Sequence, residues 1–175
     1  MSNRTRNPKK IKANTTKTII ETKPIMHGAI EHMISYNNNI FVTDSFSNMK
    51  CMNAKILDLD KPKGQIMNNE ITENVFIGGK IFIGDYRGFF KCLDAGKLKL
   101  IKDFGQVMKN CITQIVLYGK IVIIADYKGF LKCIDSETLS IYHDFGQVMD
   151  NSIIRQIIIF KNSIFLGDSK GNIKC

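Results

Sequence analysis

A short phrase recurs four times along this chain of 175 residues. Its copies are TDSFSNMKC at 43–51, GDYRGFFKC at 84–92, ADYKGFLKC at 125–133 and GDSKGNIKC at 167–175. The aspartates of successive copies lie 41, 41 and 42 residues apart, and a second phrase keeps nearly the same interval, as GQIM at 64–67 and GQVM at 105–108 and 146–149. A period near forty residues is the signature of stacked supersecondary units, each too small to bury its own apolar faces. The pattern therefore predicts a row of similar units.

One unit, residues 112–145, contains four apolar runs of strand length. The runs are ITQIVLY, KIVIIADY, GFLKCID and TLSIYHDF, and residues typical of turns separate them. Helix is disfavoured because β-branched residues dominate and no apolar stripe has helical spacing. The first three runs are nearly continuous in apolar residues, whereas the fourth run of the preceding unit, residues 97–102, alternates lysine with apolar residues. This gradient is expected if the fourth strand lies at the solvent rim. The sequence predicts an all-β fold, a β-propeller of four-stranded antiparallel blades.

The same period divides the chain into an arm and about four blades. We expect residues 1–15 to form a flexible basic arm and residues 16–175 to hold the repeats. The blade units are predicted at about 28–63, 64–104, 105–145 and 146–175, the last completed by 16–24. An N-terminal strand that completes the last blade would close the ring and cover a sheet edge. Two alternatives remain: two chains form an eight-bladed ring as a homodimer, or the chain is a fragment of a longer propeller whose last blade stays open.

The repeated phrase resembles that of the WD-repeat family, in which Gly-x-Ile-Lys-Val-Trp-Asp closes the third strand. The resemblance is carried by GDSKGNIKC and by Asp94 and Asp135, which follow the cysteines two residues on. Leu93 and Ile134 stand at the family's tryptophan position, and Gly-Gln stands where the family has Gly-His. The resemblance implies a non-catalytic scaffold for protein–protein interaction. The same residues are also similar to the tryptophan-docking repeats of quinone-cofactor propellers, which would imply an enzyme.

Connections between the second and third strands of a blade, and those between blades, emerge on one face of a propeller. That face would carry repeated aromatic, basic and amide side chains. The candidates for binding another protein are Tyr86, Arg87, Tyr127, Lys128, Lys170, Gln106 and Gln147. Tyr and Arg supply large contact area at modest entropic cost. The alternative is that the repeats copy these residues because the turns need them, which would leave ordinary solvated tips.

Basic charge is concentrated at the N-terminus. The formal net charge is +9, and residues 1–24 hold seven Lys and Arg against Glu21 alone. The candidates for contact with RNA or DNA are Arg4, Arg6, Lys9, Lys10 and Lys12. Arms of this kind neutralise phosphates in a salt-dependent way, although a solubilising or targeting tail has the same composition. No apolar stretch fits a signal peptide or a membrane span, so we expect a cytoplasmic protein, with a nuclear location also open.

The cysteines and histidines suggest no metal, cofactor or catalytic site. Four of the five cysteines occur once per repeat, at Cys51, Cys92, Cys133 and Cys175, and no Cys/His ligand spacing is present. We expect them to serve as small buried apolar residues in a reducing compartment. The repeated aspartates Asp44, Asp85, Asp126 and Asp168 are expected to accept hydrogen bonds from their own turns rather than to bind a shared cation.

Three functional hypotheses follow from these observations. The first is a non-catalytic protein-binding scaffold of WD-repeat type. The second is a component of a ribonucleoprotein in which the arm contacts phosphate and the propeller packs on protein. The third, a quinoprotein-like enzyme, is disfavoured because the chain has no tryptophan and no clustered site.

Overall fold

The structure, a computed structural model, describes residues 25–54 and 59–175. Its regular elements are β-strands, grouped into four sheets that we call blades A to D. Blade A contains β1 (Ile30–Tyr36), β2 (Asn39–Asp44), β3 (Asn48–Asn53) and β4 (Leu59–Gln65). Blade B contains β5 (Ile71–Ile77), β6 (Lys80–Asp85), β7 (Phe89–Asp94) and β8 (Leu100–Gln106). Blade C contains β9 (Ile112–Tyr118), β10 (Ile121–Asp126), β11 (Phe130–Asp135) and β12 (Ser140–Gln147). Blade D contains β13 (Ile154–Phe160), β14 (Ser163–Asp168) and β15 (Ile173–Lys174).

Every blade is an antiparallel meander in which sequence neighbours pair. Blades A, B and C have four strands each in sequence order, and blade D has three. The first strand of each blade contains a β-bulge. In β5 the bulge lies between Ile71 and Glu73, and the same irregularity occurs in β1, β9 and β13. The predicted all-β architecture of four-stranded antiparallel units is confirmed. Among the described residues, no helix has the length and apolar character that crossing a membrane requires.

Burial falls from the second strand of a blade to the fourth. In blade C, residues 122–126 of β10 are all buried, whereas residues 140–145 of β12 are all exposed. The hydrophobic residues of β10 are covered on both faces because each face meets a neighbouring blade. The prediction that the fourth strand lies at the solvent rim is therefore confirmed.

Three apolar clusters hold the blades together, one at each junction. The cluster between blades A and B includes Phe41, Met49, Ile71 and Ile83. The cluster between B and C contains residues such as Phe82, Phe90, Ile112 and Ile124. The cluster between C and D contains residues such as Ile123, Leu131, Ile154 and Leu166. Burial of a side chain of this size contributes about 1.5–3 kcal/mol, so the junctions supply the main stabilisation of the fold.

The first strands of consecutive blades lie next to one another. β1 packs beside β5, β5 beside β9, and β9 beside β13, whereas β13 and β1 make no comparable contact. The described blades therefore follow one another along an arc. The segment 16–24 that was predicted to complete the last blade lies outside the described residues, as do the arm 1–15 and its candidate contacts with nucleic acid.

An aspartate fixes the turn between the second and third strands of each blade, and it is buried in blades A, B and C and half-buried in blade D. In blade C, Oδ1 of Asp126 accepts the backbone amides of Lys128 and Phe130, both at 2.9 Å. Oδ2 of Asp126 accepts Nδ2 of Asn110 at 2.9 Å, which ties the turn to the loop that enters the blade. Asp85 repeats all three contacts in blade B with Arg87, Phe89 and Asn69.

The two outer blades use the same device with different donors. Asp44 accepts hydrogen bonds from the backbone amides of Phe46 and Asn48, and a further one from the amide of Gly28 at 3.2 Å. Asp168 accepts a hydrogen bond from the hydroxyl of Ser152 at 2.7 Å. Hydrogen bonds led by the Asn172 and Ser152 side chains hold the pKa of Asp168 well below its usual range. The prediction that these carboxylates serve their own turns is confirmed.

The glycine of the repeated phrase is required by the same turn. Gly129 adopts φ 84°, a left-handed conformation, and a Cβ built there would lie 2.3 Å from the carbonyl oxygen of Met149. The amides of Val148 and Met149 both donate to the carbonyl of Gly129. The turn and the end of the fourth strand are therefore fastened to each other at this point.

The cysteines follow the expectation in three blades and depart from it in the fourth. Cys51, Cys92 and Cys133 are buried, and burial raises the pKa of the Cys92 and Cys133 thiols to about 11. Cys175 is exposed, so the prediction that it is a buried apolar residue is wrong. The physical reason is that, among the described residues, no following blade or fourth strand covers this part of blade D.

We expect Asp126→Ala to lower the free energy of unfolding by about 3 kcal/mol, because three donors lose a charged acceptor in a buried place. Urea denaturation followed by circular dichroism measures the change. Asp150→Ala, which removes an exposed carboxylate next to blade D, is the matched control and should change the free energy by less than about 0.5 kcal/mol. Equal effects of the two substitutions would contradict the role given to Asp126.

Candidate protein-binding face

The turn between the second and third strands and the loop between blades emerge on the same side of every blade, because each blade is a meander. We call this side the loop face. Tyr86 and Arg87 lie on the turn of blade B, Tyr127 and Lys128 on that of blade C, and Lys170 on that of blade D. Gln106 and Gln147 end the fourth strands β8 and β12. All seven predicted binding residues therefore belong to one face.

An open groove of ≈ 470 Å³ crosses the loop face at the junction of blades B and C. The residues that line it are Tyr86, Arg87, Gln106, Lys109, Asn110, Cys111 and Tyr127. Four of the seven predicted residues meet in this groove. Lys128, Gln147 and Lys170 lie on the same face but do not line the groove.

The two tyrosines are the exposed apolar elements of the groove. Tyr86 is 61 % and Tyr127 is 48 % exposed, each at the tip of its turn. A tyrosine ring has two rotatable side-chain bonds and a hydroxyl at its end, so it covers a large area and still forms a hydrogen bond. Two such rings on adjacent blades provide apolar contact points at both ends of the groove.

The predicted glutamines also serve the turns. Nε2 of Gln106 donates to the carbonyl oxygen of Arg87 at 2.9 Å, and Nε2 of Gln147 donates to that of Lys128 at the same distance. Gln147 also reaches Oδ1 of Asn151 at 3.3 Å. These contacts explain why Gly-Gln recurs once per repeat, since each glutamine holds the turn tip of its own blade. The glutamines thereby fix the backbone under Arg87 and Lys128.

Lys170 is engaged within its own blade. Its Nζ donates to the carbonyl oxygen of Asp150 at 3.1 Å, in the loop that enters blade D. The side chain stays exposed. Lys170 therefore lies on the loop face, at a blade boundary different from that of the groove.

Sequence reasoning missed the three groove residues that come from the loop between blades. Lys109, Asn110 and Cys111 directly follow the repeated GQVM phrase, and the corresponding positions in the next repeat hold Asp150, Asn151 and Ser152. The repeat locates this loop and places an asparagine at its second position in each copy, as Asn69, Asn110 and Asn151, but the residues on either side differ from copy to copy. Only the structure shows that they line the groove between Tyr86 and Tyr127.

Cys111 does not have the properties of an activated nucleophile. Burial is the largest of the effects that raise the pKa of its thiol, and the nearby carboxylates of Asp85, Glu70 and Asp126 raise it further. A reactive cysteine needs a lowered pKa, because the thiolate is the nucleophile. In the described part of the chain, no group of three or more His, Cys, Asp and Glu residues could hold a metal ion.

The accessible charge around the groove is mainly basic. Arg87 and Lys109 are exposed at its walls, and Lys128 is exposed beside it. The carboxylates of Asp85 and Asp126 lie beneath the face, are buried, and accept hydrogen bonds from their turns. Exposed acids on this side are Glu70, in the loop that enters blade B, and Asp150, in the loop that enters blade D, and neither lines the groove. The groove thus presents aromatic rings and cations to solvent.

No protein-family model and no curated protein sequence matches this chain. Its structure is similar to that of the computationally designed Ika4 protein, with a TM-score of 0.73, 18% identity, and coverage of 85% of this chain and 91% of that one. It is also similar to the designed Ika8 protein, with a TM-score of 0.72, 19% identity, and coverage of 83% and 44%. The WD40 β-propeller domain of Doa1 matches with a TM-score of 0.69, 12% identity, and coverage of 84% and 50%.

The fold is a β-propeller. These similarities support the fold alone, since every sequence identity is below 20%. The four blades span about half the length of the Doa1 propeller domain and of the Ika8 chain. The propeller arc described above therefore matches a part of a larger ring in those two structures.

A half-buried carboxylate lies on the innermost strand of blade B, away from the groove. Burial raises the pKa of Glu73 to about 7, and Oε1 accepts a weak hydrogen bond from Nε2 of Gln114, at 3.4 Å, on the neighbouring strand. On the neighbouring strand β1, desolvation lowers the pKa of His32, against the opposing effects of Glu31 and Thr72.

A raised pKa in the folded state means that ionising Glu73 destabilises the propeller. The loss begins as the pH rises through 4.5, the ordinary pKa, and is complete above about 7. We expect Glu73→Gln to raise the free energy of unfolding at pH 8 by about 1–2 kcal/mol, a figure reduced for the part of the side chain that solvent screens, and to leave it unchanged near pH 4.5. Urea denaturation at both pH values tests this. Glu137→Gln, at an exposed glutamate, should give no gain, and a gain that is independent of pH would contradict the assignment.

Proposed function

We propose that this protein is a non-catalytic scaffold of WD-repeat type whose loop face holds another protein. The observation that carries the proposal is the groove between blades B and C, where two exposed tyrosines and two cations from separate blades face one open space. The WD40 domain among the similar structures supports a propeller of the interaction type.

The composition of the groove favours a protein partner over a small molecule. Small-molecule sites are enclosed and largely apolar, whereas this groove is open and its rings stand at the turn tips. Tyr and Arg are the residue types that most often dominate the energetics of protein interfaces. A partner segment with an apolar residue between acidic ones fits the tyrosines and the surrounding Arg87 and Lys109.

The rigid base of the groove supports the same proposal. The Gln106 side chain donates a hydrogen bond to the carbonyl oxygen of Arg87. Beneath the face, the Asn110 side chain donates one to the carboxylate of Asp126. The groove therefore has a fixed backbone and adjustable side-chain tips. Binding to such a surface needs little ordering of the scaffold.

We expect Tyr127→Ala and Arg87→Glu each to reduce capture of a partner protein by at least about tenfold, because each removes a contact at the groove. The measurement is affinity capture from cell extract, with cross-linking mass spectrometry to identify proteins that touch the loop face. The melting temperature should stay within about 2 °C of the unmodified protein, since both side chains are exposed tips.

Matched substitutions outside the groove distinguish a specific face from general loss of charge or aromatic surface. Tyr142→Ala removes an exposed ring from β12, and Lys102→Glu reverses a charge on β8. Both controls should retain the partner. A partner that is retained equally by groove variants and control variants would place the binding surface elsewhere and would reject the proposal.

A further inference from the structure

Each blade has two apolar faces, and the repeats show which neighbour each face needs. We call the side of a blade that packs on the preceding blade its leading face and the opposite side its trailing face. The first residue of the first strand of each blade lies on the leading face. Ile112 in blade C and Ile154 in blade D are 0 % exposed there, because blades B and C cover them.

Blade A has the same leading face without a cover. Ile30, which occupies the position of Ile112, is 51 % exposed. Met33 is also exposed, whereas Ile115 and Ile157 at the equivalent position are buried against the preceding blade. The sequence has thus kept apolar residues on a face that no described blade covers.

Blade D has the complementary trailing face without a cover. Val75 in blade B and Val116 in blade C are partly buried and pack on the clusters shared with the next blade. Ile158 occupies the same position in blade D and is 59 % exposed. Phe160, two residues further along the same strand, is also exposed.

A repeated lysine contact shows where the chain enters blade A. Nζ of Lys91 in blade B donates to the carbonyl of Ile66 at 3.2 Å, and Nζ of Lys174 in blade D donates to that of Val148 at 2.8 Å. Ile66 and Val148 directly follow the fourth strand of the preceding blade. In blade A, Lys50 makes this contact with the carbonyl of Ile25. The segment at Ile25 therefore enters blade A along the same path by which the chain enters blades B and D after the fourth strand of the preceding blade.

We infer that a second copy of this chain supplies the missing neighbour: blade A of each copy packs on blade D of the other, and two copies form a ring of eight blades. The new junctions continue the three already present, since they bring the same leading and trailing positions together.

The size of the arc supports two copies. The four blades cover 91% of the Ika4 chain but only 44% of the Ika8 chain and 50% of the Doa1 propeller domain, so they correspond to about half of the two longer chains. A contact between unlike faces builds a closed ring when the rotation that relates one copy to the next is a whole-number fraction of a full turn. For two copies this rotation is half a turn. The ring would also cover apolar positions that are otherwise exposed at both ends of the arc, and large exposed apolar patches mark interaction surfaces.

Light scattering coupled to size-exclusion chromatography tests the inference on the full chain. The expected mass is twice the 19.9 kDa of one chain. Ile158→Glu on the trailing face and Met33→Lys on the leading face should each raise the dimer dissociation constant by at least about 100-fold, because each places a charge in an apolar junction. Tyr142→Glu, which places a charge at an equally exposed ring on β12, should leave the dimer intact.

Mixing the two interface variants gives a sharper result. A pair made of one Ile158→Glu chain and one Met33→Lys chain has one unchanged junction, and the other brings opposite charges together. The mixture should therefore form dimers although each variant alone is monomeric. Circular dichroism and a cooperative melt show that each variant is folded, and two variants on opposite faces keep the test valid if one of them fails to fold.

A monomeric unmodified chain would overturn the inference. A dimer that survives both substitutions would overturn it as well, because the contact would then lie elsewhere. Neither outcome bears on the groove of the loop face, which is not part of the leading or trailing faces.

Discussion

Apolar contact between neighbouring sheets is the interaction on which the rest of this structure depends. A sheet of four strands of six or seven residues has two broad faces and almost no interior, so a single blade cannot exclude water from its own side chains. Ile83 of blade B is buried by blade A, and Phe82, the adjacent residue, is buried by blade C. The alternation along one strand thus links three blades. Stability is then a sum of junctions more than a property of any one blade.

Hydrogen bonds have a different role, because they fix the turns within blades and the loops between blades. The family that the repeat resembles places tryptophan and histidine at positions held here by residues such as Leu93 and Gln106. In this chain an aspartate joins the turn and the entering loop of each blade by hydrogen bonds, as Asp85 does with Arg87 and Asn69. Both oxygens of the Asp85 carboxyl group accept hydrogen bonds there. The polar contacts thereby determine where the loop face lies and leave the junctions to apolar packing.

The repeat made most of the architecture predictable. Apolar runs and turn residues located the strands of the described blades, and the polar alternation at Lys97–Lys102 indicated the exposed rim. The role of Asp126 within its own turn followed from turn chemistry that depends only on neighbouring residues. Its contact with Asn110 and the close approach of Gly129 to Met149 join residues far apart in the sequence, and only the structure shows them. The groove was less accessible to sequence reasoning, since Lys109 and Cys111 stand at loop positions that the repeat does not copy. The exposure of Cys175 was also missed, because the repeat implies a burial that only a covering neighbour can provide.

The hydrogen bond between Gln106 and the carbonyl oxygen of Arg87 has a consequence for the tolerance of sequence change. It holds the peptide that carries the variable tip, while the tip itself differs between blades, as Tyr86-Arg87, Tyr127-Lys128 and Ser169-Lys170. Side chains at these positions can therefore be exchanged at little cost to folding. The loop face can change its chemical character while the backbone beneath it stays the same.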